Sequence, residues 1–134
     1  MTPSLLDTSV LVDLFRARKN EDRIHDLQTI VIASSVVLSE LLRGARNKTE
    51  RALIERIAST VPVYAPSAAD WFESGNLLSQ MRADLGFLPE KLRDLHFDVL
   101  IALTVRNNQA KLITSNRRDF VMIRQYLSFE MEAW

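Results

Sequence analysis

Asp7, Glu40, Asp98 and Asp119 are the residues of this chain best placed to do chemistry, because each is an acid set against an apolar run. Asp7 closes Ser4-Leu5-Leu6, and Glu40 interrupts Val36-Val37-Leu38-Ser39-Glu40-Leu41-Leu42. Asp98 directly precedes Val99-Leu100-Ile101-Ala102-Leu103, and Asp119 follows Lys111-Leu112-Ile113-Thr114 after a polar loop. An ionised carboxylate is costly to remove from water and is rarely buried without a partner. Two such charges about 4 Å apart repel by roughly 4 kcal/mol at an effective dielectric near 20. That is large against a total stability of about 5–15 kcal/mol. If these acids converge, protons or a cation must neutralise them. Oxygen-only ligands favour Mg²⁺ or Mn²⁺. Such an ion suits attack on a phosphodiester, since it polarises the phosphoryl oxygen and acidifies bound water.

Each acid also has a plainer reading. Asp7 with Thr8-Ser9, or Asp119, can cap a helix, and Glu40 can sit on an exposed helix face. Asp98 is the hardest to read that way, flanked as it is by Phe97 and an apolar run. Asp13, Asp70 and Asp84 read as surface residues, Asp94 as solvent-facing, and His25 and His96 as structural or surface groups without ligand spacing. Basic residues cluster beside the acids in sequence: Arg16, Arg18 and Lys19; Arg43, Arg46, Lys48 and Arg51; Arg117 and Arg118. A polyanionic substrate fits that placement, although a basic cluster is often only a solvated face.

The elements that must position these residues can be read from periodicity. Ser4 to Leu6 is a short strand, followed by a helix with Val10, Leu11, Leu14 and Phe15 on one side. Ile24 and Leu27 mark a short amphipathic segment. Thr29 to Ala33 is a β-branched run typical of a buried strand. Ser34 or Ser35 caps a helix ending near Gly44, and Thr49 to about Ser59 repeats the helical pattern. Val61 to Tyr64 is a strand. Ser67 caps a longer helix that stops at Gly86, and Pro89 opens another that reaches Asn107-Asn108. Ala110 to Thr114 is a strand, Asp119 to about Tyr126 a short helix, and Leu127 to Phe129 a final strand. Strands alternating with helices predict an α/β sandwich on a mostly parallel sheet, as one domain over residues 1–134. Chemistry in such sheets collects at the carboxyl ends of the strands, where Asp7, Asn116 and Asp119 fall.

The chain has 134 residues, 47% hydrophobic and 25% charged, with 17 basic against 17 acidic side chains, so net charge selects no partner. It has no cysteine, which excludes disulfides, thiolate metal sites and cysteine nucleophiles. The three glycines, Gly44, Gly75 and Gly86, form no phosphate-binding loop. An aspartyl-phosphate phosphatase would want an acid two residues after the first, where Ser9 stands. No stretch is long and apolar enough to span a bilayer and no secretory signal opens the chain, so a cytoplasmic protein without membrane contact is the expectation.

Taken together, the segments resemble a PIN-domain ribonuclease of the VapC toxin type. Leu5-Leu6-Asp7-Thr8-Ser9-Val10-Leu11-Val12-Asp13 is similar to that family's first motif, and Ser39-Glu40-Leu41-Leu42-Arg43-Gly44 to its second. Phe97-Asp98-Val99-Leu100-Ile101-Ala102 is similar to the third, and Leu112-Ile113-Thr114-Ser115-Asn116-Arg117-Arg118-Asp119-Phe120 to the closing one. The likeness spans nearly the whole chain, in order. It implies a three-layer α/β/α sandwich and a Mg²⁺-dependent endoribonuclease, with Mn²⁺ as a possible substitute, that cleaves structured RNA. It further implies a homodimer neutralised by a VapB-like antitoxin. Asp7, Asp98 and Glu40 would then be the metal ligands, with Asn116 or Asp119 assisting. Many members carry an acid where this chain has Asn116, so the fourth position, and whether one ion or two bind, stays open. Thr8 or Ser9 would contact the bound water or phosphate, and Arg43, Arg46, Arg117 and Arg118 the RNA backbone. Leu14, Phe15 and Leu42 would line an antitoxin groove, or else belong to the core. Two rivals remain: a catalytically weak RNA- or protein-binding module of the same fold, and a DNA-directed nuclease.

Overall fold

The computed structural model describes all residues, Met1–Trp134. Along the chain run β1 (Ser4–Leu6), α1 (Thr8–Ala17), α2 (Glu21–His25), β2 (Val31–Ser34), α3 (Ser35–Arg43) and α4 (Lys48–Thr60). There follow β3 (Val63–Tyr64), α5 (Ala68–Leu85), α6 (Pro89–Asn107), β4 (Lys111–Thr114), α7 (Arg117–Ile123) and β5 (Glu130–Ala133). The strands form one five-stranded sheet in the order β3-β2-β1-β4-β5. Every pairing is parallel, so the sheet is wholly rather than mostly parallel. Parallel neighbours need a crossover connection, and helices supply each one, giving the three-layer α/β/α sandwich.

β1 lies at the centre. Leu5 pairs with Ile32 on one side and Leu112 on the other. The chain winds outward through β2 and β3, then returns across β1 to lay down β4 and β5. The reversal at β1 and β4 is the kind of switch point where open α/β sheets carry their sites. Leu5, Leu112, Ile113 and Val10 are fully buried, as is the run Val99–Leu103 of α6. This explains why the central segments read as apolar runs rather than alternating ones.

Local chemistry fixes the ends of the helices. The Ser34 hydroxyl accepts from the backbone N–H of Val36 and starts α3 directly at the end of β2. Ser67 and Asp70 form a reciprocal capping box at the start of α5, and Gly86 ends that helix at φ 66, a left-handed conformation that favours glycine. Asp70 is not the surface residue it resembles in sequence. It is buried, binds the Ser67 backbone N–H and accepts from Asn107 Nδ2 at 2.6 Å.

The C-terminal elements also differ from their sequence reading. α7 begins at Arg117 and ends at Ile123, and the final strand is Glu130–Ala133, not Leu127–Phe129. Leu127 and Phe129 are buried anchors before the strand, Phe129 meeting Phe120 edge to face at 6.3 Å. An edge strand has one unpaired side, and Glu130-Met131-Glu132-Ala133 is mostly exposed, so no apolar alternation marks it. No helix is long and apolar enough to cross a membrane.

Candidate active site

Asp7 is the first residue after β1, and its backbone N–H donates to Ile113 O at 2.9 Å, extending the central ladder by one step. That bond aims Asp7 at the carboxyl edge of the sheet. The side chain is 3% exposed. Its Oδ2 accepts from Thr114 Oγ1 and from Ser9 Oγ, both at 2.8 Å. Burial raises the Asp7 carboxyl above its ordinary range, while the Thr114 and Ser9 hydroxyls pull it back.

Glu40 enters from α3 and is half-buried. Thr8 Oγ1 donates to its Oε1 at 2.8 Å. Burial pushes the Glu40 carboxyl up, the Thr8 hydroxyl opposes this, and the Asp7 charge adds to the rise while Arg43 offsets it. Asp98 enters from α6. Burial, then the charges of Asp7, Glu40 and Asp119, push it up to about 8, and Lys91 works against them. None of these causes is a hydrogen bond, so Asp98 faces the other acids without a donor of its own. Asp119 sits in the first turn of α7, where Lys91 Nζ lies 3.2 Å from Oδ1 and Asn116 Nδ2 donates to Oδ2 at 3.3 Å.

The structure therefore brings Asp7, Glu40, Asp98 and Asp119 into one electrostatic neighbourhood, with Asn116 at its edge. It does not draw them into a tight cage: no group of three or more acidic or histidine side chains is positioned to hold an ion as it stands. The reason lies in the local partners. Hydroxyls hold Asp7 and Glu40, and an ammonium and an amide hold Asp119. In chemistry the donor set still suits a hard divalent cation. It is all oxygen, and both the burial of Asp98 and the added charges of Asp7, Glu40 and Asp119 are what a positive ion would offset.

Thr8 and Ser9, read from sequence as contacts to water or phosphate, here donate to Glu40 and Asp7. Arg43 lies with its guanidinium carbon 5.7 Å from the centre of the Phe97 ring. The Arg46 backbone N–H binds Glu50, while Arg46, Arg117 and Arg118 are exposed. Leu14 and Phe15 pack against the core, and Leu42 is exposed. His96 contacts Ser74 through Nε2 at 3.0 Å, and His25 is exposed.

Sequence reasoning missed Thr114, Lys91 and the link from Ser115 Oγ to Asp13 Oδ2 at 3.3 Å. A threonine ending a strand is ordinary, and only the β1–β4 register shows that it meets Asp7.

A family model described as PIN domain matches residues 4–124. No curated protein sequence matches the chain. Among solved structures, VapBC-1 from nontypeable Haemophilus influenzae superposes with a TM-score of 0.74 at 20% identity, over 99% of this chain and 98% of that one. DNA-bound VapBC from Salmonella typhimurium gives 0.74 at 20% identity, over 100% and 99%. VapBC-5 from Mycobacterium tuberculosis, a member of the VapBC family of toxin-antitoxin systems, gives 0.64 at 22% identity, over 100% of both chains. At these identities the likeness is one of fold.

Proposed function

Since the chain belongs to the PIN domain family, we propose that it is a divalent-cation-dependent endoribonuclease, built as one domain over residues 1–134 and acting as the toxin of a VapBC-type pair. One observation carries the reading. Acids from four distant segments come together at the switch point of the sheet, where burial first, and then the charges of Asp7, Glu40 and Asp119, raise Asp98 to about 8. Mg²⁺, or Mn²⁺ in its place, would be held by Asp7, Asp98 and Glu40. When bound, such an ion supplies Lewis-acid polarisation of a phosphoryl oxygen and acidifies water.

The chain's own residues supply the positioning. Thr114 and Ser9 fix the face of Asp7, and Thr8 fixes Glu40. Arg43, Arg46, Arg117 and Arg118 would contact phosphates and seat the RNA without reading its sequence. Asn116 and Asp119, tied to each other, would assist at the far side. The fold likeness to VapBC chains supports a VapB-like antitoxin as partner, and we take a homodimer as the working form. We place its action on structured RNA in the cytoplasm.

The test is cleavage of RNA by the purified chain, freed of any antitoxin, with and without Mg²⁺. Asp7→Asn and Asp98→Asn should each lose at least about a hundredfold in rate, in line with removing a group that stabilises transition-state charge. Equal activity in all three proteins rejects the assignment. Matched single-stranded RNA and DNA in competition separate a ribonuclease from a DNA-directed enzyme. A second reading, a binding module with weak or no catalysis, draws on the amide at Asn116 and on the acids being held by local donors. It predicts no heat on calorimetric titration with Mn²⁺.

A further inference from the structure

Lys91 is the one basic side chain that forms an ion pair with any of the four acids. It stands in the first turn of α6, directly after Pro89 and Glu90. That end of a helix carries partial positive charge, so a cation is disfavoured there and an acid would suit the position better. Asp98 lies two turns further along α6, so the two side chains leave the same face of the helix. The ammonium charge reaches Asp98 and opposes the rise of its carboxyl. A residue set against its local preference, yet facing the acids, points to a role in the site.

The ammonium lies 3.2 Å from Asp119 Oδ1, and Asn116 Nδ2 donates to Oδ2 at 3.3 Å. Both oxygens of Asp119 thus have donors, which leaves it the acid least free to take a metal ion. The ammonium has three N–H groups, and Asp119 accepts from one of them. The Lys91 side chain is 39% exposed, so the remaining N–H groups are open to a bound molecule. A purely structural tie between α6 and α7 is the plainer account, and it explains little. Pairs this exposed add little to stability, and α7 is already anchored by the fully buried Phe120 and Ile123. Two cations flanking a phosphodiester stabilise the charge on its attacking and leaving oxygens. An ammonium held against the fourth acid supplies one such charge from within the chain.

We propose that Lys91 is a catalytic residue whose ammonium, tethered by Asp119, fills the place of a second metal ion and meets an oxygen of the phosphate being cut, so that the chain takes a single divalent ion. This rests on the ribonuclease reading. Lys91 contributes charge and hydrogen bonds, and no proton leaves it. The chain has no cysteine, so Lys91→Cys introduces a single thiol. Alkylating that thiol with 2-bromoethylamine restores an ammonium on a side chain of nearly lysine length, and iodoacetamide gives a neutral control on the same protein. In RNA cleavage at saturating Mg²⁺, Lys91→Met and the iodoacetamide-treated Lys91→Cys should lose roughly a hundred- to a thousandfold in kcat, with little change in KM. Aminoethylation should return most of the rate. In calorimetric titration without RNA, wild type should bind one Mn²⁺ per chain. Lys91→Met should bind Mn²⁺ more tightly, the opposite of its effect on rate, and should melt close to wild type. An active wild type with equal or faster cleavage in Lys91→Met makes the ammonium a tether or a competitor of the metal. That result overturns the proposal and leaves the ribonuclease reading standing. So does a loss that aminoethylation fails to return, or the uptake of two Mn²⁺ per wild-type chain. A wild type that cleaves no RNA removes that reading, and the proposal with it.

Discussion

The hydroxyl of Thr114 donates to Asp7 Oδ2 at 2.8 Å, joining buried residues 107 positions apart in sequence. A hydrogen bond to a charged group contributes about 1.5–3 kcal/mol. Thr114→Val should therefore destabilise the fold by about 2 kcal/mol and let the Asp7 carboxyl rise further. RNA cleavage should fall by roughly tenfold or more, and Thr114→Ser should recover most of both. Thermal unfolding and cleavage rates check this together.

Asp98 makes the fold pH-sensitive in a defined direction. Its carboxyl stands at about 8, against an ordinary 3.8. Between those values the folded chain keeps a proton that the unfolded chain releases, so wild-type stability falls as pH rises through that window. Asp98→Asn removes the titration. Its advantage over wild type should be near zero at pH 4 and below, and on the order of 1–3 kcal/mol at pH 8 and above. Calorimetric melting in chelator across that range measures the difference. Parallel curves for the two proteins would contradict the assigned burial of charge.

Lys91 and Asn116 control the local excess of negative charge. Lys91 pairs with Asp119 at 3.2 Å and holds Asp98 down. Lys91→Met should tighten Mn²⁺ binding by about three- to tenfold, since one nearby unit charge is worth about 1 kcal/mol in a solvated setting. Asn116→Asp should act in the same direction, and Asp98→Asn should abolish the binding heat. Calorimetric titration reads all of these.

The exposed arginines should appear in the salt dependence of RNA binding. Replacing Arg43, Arg46, Arg117 or Arg118 singly by Gln should reduce the slope of log affinity against log salt by about 0.7, if each neutralises one phosphate of a single strand. A filter-binding series in chelator checks it. An arginine whose loss leaves the slope unchanged does not touch the backbone.

The acids of the site were legible in the sequence because burial beside apolar runs is abnormal for a carboxylate. The charges of Asp7, Glu40 and Asp119 reach Asp98, although no three of these acids are drawn together tightly enough to hold an ion as they stand. The donors were not legible. Thr114 reaches Asp7 through strand register, and Lys91 reaches Asp119 through the packing of α6 on α7, neither of which has a local signature. Asp70 shows both cases. Its box with Ser67 follows a short-range pattern, but its bond to Asn107 needs the contact of α5 with α6. β5 was misplaced because burial of Leu127 and Phe129 precedes the strand, while the paired residues are mostly exposed. The fold class was easier, since the alternation of elements is written along the chain.

The strand order sets a schedule for biosynthesis. A ribosome delivers β1, β2 and β3 first, and with them Asp7, Glu40 and then Asp98, yet the opposite flank of β1 stays bare until β4 emerges. Thr114 arrives only with that late strand. A nascent chain released early thus carries the acids without the donor that orients the central one, so truncated translation products are expected to be inert in the cell that makes them.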